Sequence, residues 1–330
     1  MSWLLLWLTL SAVALAQSPE RHLYYLGHIG EEPIQLELKL LPDGDGSGIV
    51  GWYYHQQVGE PISLEGFLGQ AGDLVLHELA GADESAGRFS ARIPWSPNEY
   101  LTRIEGIYSE GGVELPFTLS RAAEYATFDL SQGKIRVRSS FPVFIQPQTR
   151  IFNATVTRAA TSSLFESFEE GQALAFDDEI YHAWTFDYDL SISYLSDDLL
   201  SLNSTLRYYT GGAHGNTHHS AINLVVRGNE VLPLELAGLF RPEADFLSEL
   251  ASYLLEELKK EEAMWVVTGE VSELQEGDLA AFSLLPKGLR FAFSPYQVGP
   301  FVQGSFFVMT PYKVFASHID PEGPLARFLE

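Results

Sequence analysis

The sequence predicts a mainly β N-terminal domain, an antiparallel meander curled into a barrel or sandwich. An α+β C-terminal domain follows, with an antiparallel sheet and one long helix packed on it. Three observations carry this. Positions 21–121 hold short alternating runs separated by turn residues at intervals of roughly 10 to 14 residues, the pattern of an antiparallel meander. Trp184, Phe186, Tyr188, Leu190, Ile192 and Tyr194 alternate with Thr185, Asp187, Asp189, Ser191 and Ser193, as a strand with one buried face must. Phe246, Leu250, Tyr253, Leu254 and Leu258 form an apolar stripe at helical spacing.

In chain order, Trp3 to Ala16 is an apolar run ending in Ala14-Leu15-Ala16, the pattern of a signal peptide over 1–16. The run is short for a membrane span of ~20 residues, so no stable membrane insertion is expected after cleavage, and the mature chain is expected to be periplasmic or extracellular. In the β-rich domain, 21–121, Ile34 to Leu40 alternates strictly. Ile49 to His55, Ile62 to Phe67, Leu74 to Glu78 and Arg88 to Ile93 follow. The character changes around Arg121 to Thr127, and the second domain is expected over 125–330. There Lys134 to Arg138 alternates, Phe141 to Pro147 is extended, and Thr149 to Glu170 has the imperfect helical set Ile151, Val156, Leu164 and Phe168. Leu200 to Tyr208 is the expected antiparallel neighbour of the Trp184 strand, and Ile222 to Val226 continues the sheet. Pro242 to Glu262 is the expected long helix, with Pro242 in its first turn and Lys259-Lys260 at the negative end of its dipole. Leu289 to Phe293 and Gly304 to Thr310 are the closing strands.

The composition bounds the function classes. The chain has 44 acidic against 20 basic residues, which argues against nucleic acid and suits a basic partner. There is no cysteine, which excludes disulfides, a thiolate metal site and a cysteine nucleophile. No H-E-x-x-H, G-x-S-x-G or phosphate-cradling G-x-x-x-x-G-K-[ST] occurs, and no cofactor is expected. The acid pairs Asp177-Asp178 and Asp197-Asp198 read as solvated loop residues.

The stretch that attracts most attention is Tyr208-Tyr209-Thr210-Gly211-Gly212-Ala213-His214-Gly215-Asn216-Thr217-His218-His219, which carries three of the nine histidines between two strands. Its glycines read as a tight connection at a sheet edge. Asp43-Gly44-Asp45-Gly46-Ser47-Gly48 begins like a calcium loop through Asp43, Asp45 and Ser47. The position that should supply the closing carboxylate is Tyr54, so the segment reads as a hairpin turn. The aromatics Tyr208, Tyr209, Phe291, Phe293, Tyr296 and Phe301 sit near turns suited to gripping a sugar face or a protein. Packing of sheet against helix is the competing role, and Tyr296 is the best candidate for exposure.

Tyr209-Thr210-Gly211-Gly212-Ala213-His214, with Phe291 to Pro300, Gly304-Ser305-Phe306 and Thr310-Pro311-Tyr312, resembles the RsiV-like extracytoplasmic domain. That domain occurs in a lysozyme-binding anti-sigma factor and in the non-catalytic N-terminal region of PdaC-type deacetylases. The resemblance covers roughly 125–330. It implies an exported envelope domain of α+β fold whose partner in the anti-sigma factor is lysozyme; with the acidic balance, the expected partner is a basic protein such as lysozyme, or peptidoglycan, and the candidate binding residues are Tyr208, Tyr209, Gly211, Gly212, His214 and Tyr296. The transmembrane and catalytic attachments of those proteins are not expected in this chain. Two further readings stand beside this one. Thr185-Phe186-Asp187 and the His214/His218 pair mimic the metal ligands of polysaccharide deacetylases, which gives Asp187, His214 and His218 (with His219) as an alternative zinc or catalytic set. A small-ligand carrier built on the barrel interior is the other.

Overall fold

The computed structural model describes residues 20–43, 46–79, 86–94, 101–175 and 183–329. The signal segment, Asp45, Asp177 and Asp178 lie outside the described residues. The first eight strands are β1 (Arg21–Ile29), β2 (Glu32–Asp43), β3 (Gly46–His55), β4 (Ile62–Gly69), β5 (Asp73–Glu78), β6 (Arg88–Arg92), β7 (Arg103–Glu110) and β8 (Val113–Gln132). Each runs antiparallel to the next, and β1 also pairs with β8, so the meander closes into a barrel and buries its edges. The interior is filled: Tyr25, Leu36, Tyr53, Leu76, Phe89 and Leu119 are fully buried. Phe89 packs edge-on against Tyr53 and Phe117 at 5.2 Å and Tyr108 at 4.9 Å. These side chains occupy the barrel interior on which the carrier reading rests. Asp43 pairs with Gly46 and Pro42 with Ser47, so the calcium-like segment closes a β2–β3 hairpin with Ser47 already in the ladder.

β8 carries the chain without a break through 121–125. Phe117 to Glu124 pairs with β1, whereas Ala123 to Gln132 pairs with β9 (Ile135–Phe144). The chain then crosses through α1 (Asn153–Ala175) to β10 (Trp184–Leu195), which lies parallel to β9. β11 (Leu199–Tyr209), β12 (Asn216–Arg227) and β13 (Glu230–Pro233) continue antiparallel. The imperfect pattern after Thr149 is thus a helix, with Phe152, Val156, Ala160, Leu164 and Phe168 buried against one face of the sheet. Asn153 fixes its start: its side chain accepts from Phe144 N–H at 2.8 Å and donates to Phe144 C=O at 2.9 Å.

A third layer covers the opposite face. It comprises α2 (Phe246–Lys260), α3 (Met264–Val267), β14 (Phe282–Leu285), β15 (Gly288–Phe293) and β16 (Phe306–Pro311), the strands forming a small antiparallel sheet. Leu250, Leu254 and Leu258 bury the predicted stripe of α2 against it. The helix begins at Phe246, so Pro242 lies in the turn before it and not in its first turn. The large sheet receives this layer with polar groups. Asn223 donates to Phe282 C=O at 2.9 Å, Ser201 Oγ accepts from Leu284 N–H at 2.9 Å, and Ser283 donates to Asn203. A β-bulge between Ile192 and Tyr194 turns Tyr194 onto this face, 5.0 Å from Phe328, although simple alternation puts it with Trp184.

Beyond Asp189, β10 has outrun β9, and its backbone needs other partners. Side chains from the barrel wall and β8 supply them. Tyr125 Oη accepts from Ile192 N–H at 3.1 Å, and Tyr54 donates to Ser193 C=O at 3.0 Å. Gln35 accepts from Leu195 N–H at 3.2 Å and donates to Leu195 C=O at 3.0 Å, a side-chain imitation of a strand neighbour. Gln35 is therefore fully buried, as is most of Glu37, which bonds Tyr125 at 3.0 Å and His22 at 2.8 Å. Among the described residues no helix is long and apolar enough to cross a membrane.

Candidate binding surface

The glycine-histidine stretch joins β11 to β12, and its first glycines do what only glycine does readily. Gly211 and Gly212 hold φ of 104° and 94°, which lets the chain reverse at the sheet edge. Tyr209 donates to Gly212 C=O at 3.0 Å and His214 Nδ1 donates to Gly215 C=O at 2.8 Å, so the turn is internally tied. Tyr208 stacks near Phe186 at 6.4 Å and accepts from Asn216 at 3.1 Å, serving the sheet edge.

Strand register separates the alternative metal set. Asp187 pairs with Arg207, and Arg207 with Thr217, which puts these three on one face. His218 pairs with Leu206 and Tyr188 lies beyond, on the α1 face. Side chains alternate with period two, so Asp187 and His218 project from opposite faces and do not converge on one ion. The His214 ring lies flat on Phe301 at 3.7 Å. His219 shares the face of Asp187, but is engaged by Ser305 at 2.9 Å and Thr205 at 3.3 Å. Burial lowers its pKa, helped by His218, Arg207 and Arg290, so it is neutral at pH 7. No group of three His, Asp or Glu among the described residues is arranged to hold a metal.

What the turn does build is an aromatic surface. Phe301, under His214, lies 5.8 Å from Tyr296, which lies 6.4 Å from Trp265 of α3. Three segments meet there, tied by Gln303, which accepts from Met264 N–H at 3.0 Å and donates to Glu262 C=O at 2.9 Å. Ser294-Pro295-Tyr296-Gln297 is a turn closed by Gln297 N–H donating to Ser294 C=O at 3.1 Å, with Pro second and Tyr296 third at φ 70°. That third position of a type II turn belongs by preference to glycine, and a tyrosine there is strained by about 1 kcal/mol. The turn does not relax because Gln297 accepts from Ser294 N–H at 2.7 Å and Ser294 Oγ accepts from His219 N–H at 2.9 Å. The strain holds an aromatic ring half in solvent, with Met264, Val267 and Val302 exposed on the same segments.

The surroundings are acidic. Residues 261–278 contain Glu261, Glu262, Glu270, Glu273, Glu276 and Asp278 and no Lys or Arg. Glu270, Glu273 and Asp278 line a recess of about 270 Å³ with Gln297 and Val298, next to Tyr296. Sequence reasoning identifies His214, Tyr296 and Phe301 but misses Trp265. Its signal is the apolar run Ala263 to Val267, directly after Glu261-Glu262 and off the stripe of α2. Phe291 and Phe293, grouped with them by sequence, are core residues at 1% and 0% exposure.

Comparison with known proteins bears on the part of the chain after the barrel. Residues 131–217 match the family model "Deacetylase PdaC", and residues 237–313 match "Protein of unknown function (DUF3298)". The first span runs from the end of β8 to the start of β12, and the second takes in α2, α3 and the small sheet. No curated protein matches the chain. Among solved structures, a DUF3298 family member from Bacteroides fragilis aligns at 15% identity and a TM-score of 0.45, covering 63% of this chain and 98% of its own. A DUF3298 family protein from Pseudomonas aeruginosa aligns at 17% identity and a TM-score of 0.41, covering 60% of this chain and 93% of its own.

Proposed function

We propose that the chain is an exported, non-catalytic binding protein of the cell envelope, and that His214, Trp265, Tyr296 and Phe301 form its docking face. The partner is a basic protein of the lysozyme kind; peptidoglycan is the second ligand class. The observation that carries this reading is the convergence of four aromatic rings from three segments, one held at a strained backbone position, inside a surround of carboxylates. Aromatic anchors ringed by charge are the usual composition of an interface centre and rim. The resemblance to the RsiV-like domain and the match to the PdaC model support the envelope setting. The word deacetylase in that model's name invites a hydrolytic reading; against its Asp187/His218 version stand the opposed faces of those two side chains.

Chromatography of residues 17–330 on immobilised lysozyme tests the reading. Retention that weakens as salt rises from 0.05 to about 0.3 M is expected, because the Debye length falls over that range. Passage in the void volume at low salt would count against it.

A further inference from the structure

A second site lies where the small sheet meets the polar face of the large one. β15 and β16 pair Arg290 with Met309 and Ala292 with Phe307, which puts Arg290, Phe307 and Met309 on the face turned toward β12. The other face of the same sheet carries Phe291, Phe293 and Val308 into the core. The Arg290 guanidinium lies 6.0 Å over the Phe307 ring, and that ring meets His219 edge-on at 5.1 Å. His219 in turn holds the Ser305 hydroxyl at 2.9 Å. Phe307 is 53% and Met309 39% exposed, so this face is open to solvent.

Arg290 is the anomaly. It is part-buried, yet no hydrogen bond or ion pair engages it among the described residues. Burial pushes its pKa below the usual arginine value, with no carboxylate acting to raise it. A guanidinium stays charged at neutral pH, and this one has no counter-ion among the described residues. The chain carries 44 acidic side chains, and Asp189, on this face of β10, is taken by Arg207 at 2.6 Å. The charges of Arg207 and Arg290 both act on His219 and lower its pKa.

We propose that this face binds a carboxylate carried on an apolar frame. The carboxylate forms with Arg290 the bidentate pair that the fold itself does not supply, and Ser305 offers a further donor. The apolar part lies on Phe307 and Met309. The site is separate from the aromatic surface and selects the opposite charge.

The test uses residues 17–330 with N-acetyl-leucine, its neutral analogue N-acetyl-leucinamide, and inorganic phosphate, read by calorimetric titration and thermal melting. N-acetyl-leucine is expected to bind with a Kd of about 1 mM or below and to raise Tm with dose. The amide and phosphate bind at least about tenfold more weakly. Arg290→Met loses at least about tenfold in affinity and, without ligand, melts no lower than the natural protein, because an uncompensated charge has been removed. Arg290→Lys keeps the charge without the planar fork and falls between the two. Failure of N-acetyl-leucine to bind, equal binding of the amide or of phosphate, or a clearly lowered Tm in Arg290→Met would each overturn the proposal.

Discussion

Replacing Gln35 by leucine probes the joint between barrel and α+β region at its most exacting point. The glutamine side chain is fully buried and stands in for a β-strand neighbour. Its carbonyl accepts from Leu195 N–H and from the Tyr24 hydroxyl, and its amide donates to Leu195 C=O. Leucine fills nearly the same volume, so no large cavity opens, but three buried polar groups lose their partner. Each such group costs about 1–3 kcal/mol. Part is recovered from added apolar burial, leaving a net loss of about 2–4 kcal/mol. With a urea m-value of about 3 kcal/mol/M the midpoint falls by about 1 M. Lys39→Gln, exposed on the same strand, is the control and shifts stability by less than about 0.5 kcal/mol. Tyr54→Phe, which removes the bond to Ser193 C=O and the hydroxyl interaction with Tyr24, is expected between the two. A Gln35→Leu midpoint within error of the Lys39→Gln control would refute the claim that this amide completes the β10 edge.

Two further outcomes follow from the geometry. Asp198 forms a two-pronged pair with Arg327 at 2.6 and 2.7 Å, which holds its pKa down to about 2. A lowered folded pKa stabilises above the unfolded value of 3.8 and is lost as pH falls through about 2. The shift alone corresponds to about 2 kcal/mol. With the carboxylate 48% exposed, solvent screening reduces this to about 1 kcal/mol. Asp198→Asn is thus about 1 kcal/mol less stable than the natural protein at pH 7 in urea melts, a gap that narrows below pH 4; a constant gap down to pH 2 would assign the loss to packing. Tyr296→Gly relieves the φ of 70°, so its stability in urea melts is unchanged or raised, by up to about 1 kcal/mol, while binding is lost; a lowered stability would show the ring to be structural.

The parts of the fold that the sequence makes legible are those where one face is dry and the other wet. The α2 stripe and the alternation in β10 as far as Ile192 read correctly for that reason. The same logic misleads at Ile34 to Leu40, where Gln35 and Glu37 look like the solvent side and are buried, because alternation reports polarity and not dryness. The bulge at Ser193 is equally silent in the sequence: one inserted residue exchanges the faces of Tyr194 and Leu195, and nothing in Ile192-Ser193-Tyr194 announces it. The parallel β9–β10 pair depends on α1, whose stripe is too irregular to read as a crossover. At the candidate surface, Pro295 and the glycines mark the turns, so His214 and Tyr296 stand out. That Trp265 joins them is a tertiary fact, fixed by Gln303 reaching Met264 from 39 residues away. The opposed faces of Asp187 and His218 also follow from pairing register, which spacing along the chain does not encode.

The central claim, that an acidic aromatic surface docks a basic protein, is tested most directly by calorimetric titration of residues 17–330 with lysozyme at low and moderate salt, beside Tyr296→Gly and Phe301→Ala. A Kd of about 1 μM or tighter is expected, weakened by salt and by at least about tenfold in each variant. Absence of binding at low salt, or binding that both variants leave intact, would contradict it.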